Sequence, residues 1–361
     1  MFERSAARFS RLPVPVHWAS LLALSAFFAT LLELLRLPAA LLLGPMLAGI
    51  VVENLGARLR VPTVGVKLSQ AVIGCLIAHA ITGEIVHTFA QRWPLYVGIT
   101  LSTLALSGVI GWVVARTRVV PGTTAIWGLL PGGASAMVLM AEEFGADARL
   151  VAFMQYLRVL FVTVVASLIA RFWVQAPASP AAAPLWFPPL LALPLLQTAG
   201  LVVFGILVGR LSGIPNGVLL LPMAAGAWLQ NEGLMVIDLP PWLLAASYLG
   251  LGWNVGLRFT REVLASARRA LLPTVLSIGV LITACGGLAA LLFEVLGGEP
   301  LAAYLATSPG GADSVAIIAA SSHVDASFVM AFQLARLLAV MLLGPVMSRF
   351  VASRIAAAAA G

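Results

Sequence analysis

The chain has 361 residues, is 61% hydrophobic with a mean hydropathy of +1.03, and carries only 10% charged residues, which excludes a soluble globular domain. The net charge of +7 arises from Lys and Arg scattered between apolar runs, with no basic stripe interleaved with aromatics, so nucleic acid is excluded as a partner. The basic residues instead carry membrane-topology information.

Arg4, Arg8 and Arg11 precede the first apolar run. That run is long enough to span and no small-residue cleavage site follows, so it is read as a retained span rather than a signal peptide. Apolar segments then follow at about 16–35, 39–55, 63–83, 94–116, 121–143 and 150–173. A Pro/Ala-rich linker (175–187) separates them from 188–209, 214–231, 241–257, 271–295, 300–321 and 326–348. Most approach the ~20 residues a helix needs to cross a hydrocarbon core of about 30 Å. Cys75 and Cys285 lie inside such runs and read as small buried hydrophobes.

The halves 1–174 and 188–361 match residue by residue at a spacing near 178. Pro45-Met46 pairs with Pro222-Met223, Gly74 with Gly252, Glu84 with Glu262 and Asp147 with Asp325. Gln155 and Arg158 pair with Gln333 and Arg336. The most telling pair is Leu130-Pro131-Gly132-Gly133-Ala134-Ser135 with Ser308-Pro309-Gly310-Gly311-Ala312-Asp313-Ser314. Proline removes a backbone donor and the paired glycines remove the steric reason to stay helical, so each segment should break there. In lipid, freed backbone groups are tolerated only inside protein or along a cavity, so both breaks are candidate site elements. Internal repeats with interrupted segments at matching places point to a secondary transporter.

The positive residues discriminate between two topologies. Twelve crossings would leave Arg258, Arg261, Arg268 and Arg269 outside. If each broken segment re-enters and returns to its own side, only Arg36, Arg92 and Arg171 lie outside, and the second half is inverted. The expected fold is therefore all-α and integral to the membrane. It has two inverted repeats, each of five spanning helices plus one Pro-Gly-Gly broken helix or re-entrant hairpin. Some ten residues from Pro121 to Leu130 would carry a half-helix roughly 15 Å, near the bilayer midplane. The returning half-helices are expected to start at Gly133 and Gly311, aiming their positive ends at an anion.

Arg158 and Arg336 fall deep inside spans, where a charge usually faces a cavity or a partner. Each belongs to a Gln-x-x-Arg pair on one helix face: Gln155 with Arg158, and Gln333 with Arg336. One reading is a bidentate clamp for a carboxylate or similar anion. The other is that each Arg ties down carbonyls at a break or pairs with a carboxylate such as Asp313. Asp313 replaces the Ser135 of the first repeat. It either binds a coupling proton or sodium ion or stays ionised against an arginine. Ser135 and Ser314 are candidate hydroxyl contacts, or caps of the following turn. Gly132, Gly133, Gly310 and Gly311 complete the candidate substrate site.

No two histidines have metal-ligand spacing, and the clustered His, Cys or carboxylates of a membrane enzyme are missing. No metal, cofactor or enzymatic activity is expected. The Leu-Leu-Gly-Pro-Met at 42–46, Leu-Leu-Pro-Gly-Gly-Ala-Ser at 129–135 and Ser-Pro-Gly-Gly-Ala-Asp-Ser at 308–314, followed by Gln-x-x-Arg, resemble the AbrB-type family of bacterial inner-membrane proteins. That family is built from a duplicated domain, is often labelled a regulator and sometimes mislabelled an ammonia monooxygenase, and is unrelated to the small DNA-binding regulators of the same name. The resemblance implies a multi-pass protein of the bacterial inner membrane, similar to inverted-repeat transporters. The functional expectation is a secondary active transporter of a small organic anion coupled to H+ or Na+. A membrane ligand sensor without transport is the alternative. A homodimer would suit a carrier with a static scaffold.

Overall fold

The computed structural model describes residues 9–360 except 11, 36, 38, 82, 118, 121–122, 133, 174–185, 188–190 and 215. Within helices it leaves undescribed the side chains of 80, 83–92, 134–136, 139, 143, 173, 266, 313, 338, 341, 345, 348 and 351–360. The linker thus lies largely outside the described residues. Among the described residues every element is helical. The helices are α1 (Val14–Leu34), α2 (Ala40–Asn54), α3 (Thr63–Ala80), α4 (Gly83–Arg116), α5 (Thr124–Leu129), α6 (Ala134–Glu143), α7 (Ala148–Trp173), α8 (Ala192–Leu211), α9 (Gly217–Asn231), α10 (Pro241–Gly256), α11 (Arg261–Ser266), α12 (Leu271–Leu296), α13 (Pro300–Thr307), α14 (Ala312–Ser321) and α15 (Ala326–Ala360). Six contain spans of 19–26 apolar residues, enough to cross a membrane by length and composition. The molecule is a multi-pass membrane protein.

Helix ends follow local chemistry. Pro240 and Pro241 set the start of α10 and Pro300 that of α13, where a missing N–H costs nothing. Gly297 ends α12 at φ +70°, ψ −153°, a backbone region open essentially to glycine alone. Ala39 (φ +58°) and Asn216 (φ +57°), which precede α2 and α9, adopt the same left-handed turn at matching repeat positions.

The chain divides into two compact units, each assembled from both halves. The first contains α1–α3 and α8–α10. Its core includes Val72, Cys75, Leu201, Val218 and Ile237 on one side and Leu21, Val52, Leu59 and Leu257 on another. Helices from opposite halves meet at glycine. A Cβ on Gly252 of α10 would lie 2.6 Å from the Leu42 carbonyl of α2, and one on Gly74 of α3 would collide with the Leu219 carbonyl of α9. Here the close approach requires glycine. The helix ends are tied in the same crossed manner. Asn54 Nδ2 donates to the Phe259 carbonyl (3.0 Å), and Asn231 Nδ2 to the Ile81 carbonyl (3.1 Å).

The second unit contains most of α4, α5, α6, most of α7, α11–α13, the start of α14 and most of α15. Its core packs Trp127 and Leu130 against Leu104, Met137, Val151 and Val340. It holds both breaks. The segments match the expected ones with several differences, among them that α4 starts at Gly83 rather than near 94 and that α11 was not expected. The half-helix before the first break has six residues, roughly 9 Å rather than 15 Å. The returning half-helices begin at Ala134 and Ala312, one residue later than expected. The last helix continues to Ala360.

Candidate functional site

Breaking a helix leaves carbonyls at the end of its first half without donors, in a setting where each costs free energy if left bare. α5 ends at Leu129, and Leu130 turns to extended backbone (ψ 124°); α13 ends at Thr307, and Ser308 does the same (ψ 137°). Pro131 and Pro309 follow and have no N–H to offer. The two Gln-x-x-Arg pairs supply the donors. Gln155 Nε2 on α7 donates to the carbonyls of Trp127 (2.6 Å) and Leu130 (3.0 Å), and Gln333 Nε2 on α15 to those of Leu305 (2.8 Å) and Ser308 (3.3 Å). These partners correspond at the repeat spacing. A cation also suits the negative dipole end of each half-helix.

The arginines part company beyond this point. Arg336 Nη1 donates to the Ser308 carbonyl, Nη2 to the Gly310 carbonyl (2.9 Å) and to Gln333 Oε1, and Nε to the Pro131 carbonyl (3.2 Å). It therefore ties both breaks together and closes on its own glutamine. Arg158 donates through Nη1 alone, to the carbonyls of Leu130 (2.8 Å) and Leu129 (3.3 Å). Its Nε and Nη2, and Gln155 Oε1, have no hydrogen-bond partner among the described residues although both side chains are fully buried at 0% exposure. Among the described side chains no carboxylate is bonded to either guanidinium, and the two charges act on each other.

The glycines allow the breaks to be packed closely by the opposite half. A Cβ on Gly132 would lie 3.0 Å from Val340 Cγ1 of α15, and one on Gly310 would lie 3.1 Å from Val162 Cγ1 of α7. Gly311 is half-buried. Ser314 is buried, and its hydroxyl donates to the Gly311 carbonyl (3.1 Å), a back-bond within the first turn of α14. Gly133 lies outside the described residues. Ser135 and Asp313 lie in the first turns of α6 and α14, but their side chains are outside the described ones.

Thr124, at the start of α5, was not anticipated. Its hydroxyl accepts a hydrogen bond from the Asp147 N–H (3.1 Å), four residues past the end of α6. The two ends of the broken segment therefore meet. Its counterpart in the second repeat is Ala302, so repeat matching gives no sign of it. Val162 and Val340 do correspond at the repeat spacing, which is the signal that could have found them.

Comparison with known proteins gives a consistent family. The family described as "Transition state regulatory protein AbrB" matches residues 41–352. A protein of Escherichia coli (strain K12) named "Putative regulator AbrB" is 45% identical over 339 residues, covering 94% of this chain and 97% of the relative. The "Uncharacterized protein YhjN" of Bacillus subtilis (strain 168) is 27% identical over 273 residues, covering 72% of this chain and 70% of the relative.

Proposed function

Since the chain belongs to the membrane-type AbrB family, we propose that it is a secondary active transporter moving a small organic anion across the bacterial inner membrane, coupled to H+ or Na+. The observation that carries this reading is the buried Arg158 guanidinium with Nε and Nη2 unengaged by protein. A buried cation with open donors favours an oxyanion, which supplies charge and acceptors together. Arg336 adds positive potential while its own donors hold the breaks.

Two further observations support the transporter architecture. Corresponding residues of the two halves make corresponding contacts, Gly132 with Val340 and Gly310 with Val162, as repeats related by a two-fold axis do. The Thr124–Asp147 bond brings the ends of the first broken segment together, as a re-entrant hairpin requires. On this reading the substrate sits by the breaks, with Arg158 as its anion ligand and Gln155 beside it. Asp313, on the first turn after the second break, takes the coupling ion.

The test is uptake into proteoliposomes of a pool of small carboxylates under imposed pH or sodium gradients. Gradient-driven accumulation is expected in the wild type. In Asp313→Asn, exchange should persist while the response to the gradient is lost. Ligand binding without any uptake would favour a sensor.

A further inference from the structure

The unengaged atoms of the first Gln-x-x-Arg pair describe a ligand more closely than "anion" does. In arginine, Nε and Nη2 lie along one edge of the planar guanidinium, the edge that grips a carboxylate through two parallel hydrogen bonds. In Arg158 neither atom of this edge has a hydrogen-bond partner among the described residues, while Nη1 is held on the Leu129 and Leu130 carbonyls. In Arg336 the same edge is filled by Pro131, Gly310 and Gln333. One carboxylate fits one fork, so the structure selects the first repeat.

Gln155 adds an opposite requirement. Both hydrogens of its Nε2 are engaged, on the Trp127 and Leu130 carbonyls, which fixes the amide orientation and leaves Oε1 as a buried acceptor needing a donor. In the second repeat that role is met internally, because Gln333 Oε1 receives Arg336 Nη2. Residues at i and i+3 share a helix face within about 5–6 Å, so a single small molecule can reach both the open fork and the open carbonyl. Its donor has to lie close to its carboxylate. An ammonium in that place would meet the charges of two guanidinium groups; a hydroxyl would not.

We infer that the substrate is a small 2-hydroxycarboxylate, its carboxylate on the Nε/Nη2 edge of Arg158 and its hydroxyl donating to Gln155 Oε1. This rests on the transporter reading for its place in a transport cycle, and on the open edge of Arg158 for its chemistry.

Matched ligands separate the alternatives without a variant. Thermal unfolding of the purified protein in detergent is followed with the sets acetate, glycolate and glycine; propionate, lactate and alanine; and succinate, malate and aspartate. The inference expects the hydroxy member of at least one set to raise the melting temperature saturably. The deoxy and amino members should need about ten-fold or higher concentration, as a site with a buried hydrogen-bonding group discriminates against analogues that leave it unpaired. Arg158→Lys, which keeps the charge but loses the fork, should abolish the shift. Equal shifts from hydroxy and deoxy members would overturn the hydroxyl requirement and leave the anion transporter standing. A preference for the amino members would overturn the charge argument. No shift from any member would overturn both the inference and the anion site on which the proposed function rests.

Discussion

Two copies of one motif sit at two breaks in this molecule and do different work. At the second break, Arg336 and Gln333 close on each other and on three carbonyls, one of them Pro131 of the first repeat. At the first, Arg158 and Gln155 hold their carbonyls with part of their groups and leave a fork and an acceptor open. Duplication supplies two equal frames. One can become a strut that satisfies the broken backbone, which frees the other to meet a ligand. The arginines should accordingly differ in what their loss costs.

The largest effect is expected from Arg336→Gln. It leaves the Gly310 and Pro131 carbonyls without these donors, each costing about 1–3 kcal/mol when buried without a partner, while Ser308 keeps Gln333 Nε2, so a loss of about 2–6 kcal/mol is expected. Unfolding of the purified protein, by heat or denaturant, measures it. Arg158→Gln takes one donor each from the Leu129 and Leu130 carbonyls, of which Leu130 keeps Gln155 Nε2 and the Gly132 N–H, and it removes a buried charge; it should cost about 1–2 kcal/mol in the same assay. Equal losses would break the distinction between strut and ligand group.

Gly310→Ala is next. Its new methyl would lie 2.6 Å from Val315 Cγ2 and 3.1 Å from Val162 Cγ1, both on stiff β-branched side chains, so about 1–3 kcal/mol of overpacking is expected. Gly132→Ala meets chiefly the thioether end of Met137, at 2.8 Å and 2.9 Å, which can swing away. It should cost less than Gly310→Ala in parallel melting curves. The smallest effect is expected from Thr124→Val, which leaves the Asp147 N–H without its acceptor and should cost about 1 kcal/mol.

The sidedness of the hairpins can be examined separately. Cys75 and Cys285 are buried and free, so single cysteines introduced at the exposed Glu142 and Ser321 can be labelled against a quiet background. An impermeant reagent should reach them from opposite faces of the membrane. Labelling of both from one face would contradict the inverted arrangement.

Much of this was legible in the sequence. Hydropathy alone placed the helices, because a chain in lipid must bond its backbone within each segment. Pro-Gly-Gly placed both breaks to within a residue. The i, i+3 spacing placed amide and guanidinium on one face. The division of labour between Arg158 and Arg336 was not legible. It depends on Arg336 reaching Pro131, a partner 205 positions away, and on Gln333 turning its oxygen to Arg336, and neither leaves a mark on residue identity. The motif alone is compatible with a clamp or a strut; the contacts show Arg336 tying both breaks and Arg158 with Nε and Nη2 unpartnered among the described residues. The crossed packing of Gly74 with Leu219 and Gly252 with Leu42 was likewise hidden. Repeat matching shows which residues are equivalent, not which equivalent residues touch. Thr124 was out of reach because only one repeat carries the hydroxyl.

The most direct test of the central claim is substrate-dependent current from proteoliposomes holding wild type, Arg158→Lys or Arg336→Lys at equal protein density. Malate, lactate or glycolate would be applied under imposed pH and sodium gradients. The account predicts a saturable current in the wild type and none in Arg158→Lys. In Arg336→Lys it predicts a current reduced in proportion to lost folded protein but with unchanged half-saturation. A current that survives Arg158→Lys, or whose half-saturation moves only with Arg336→Lys, would contradict it.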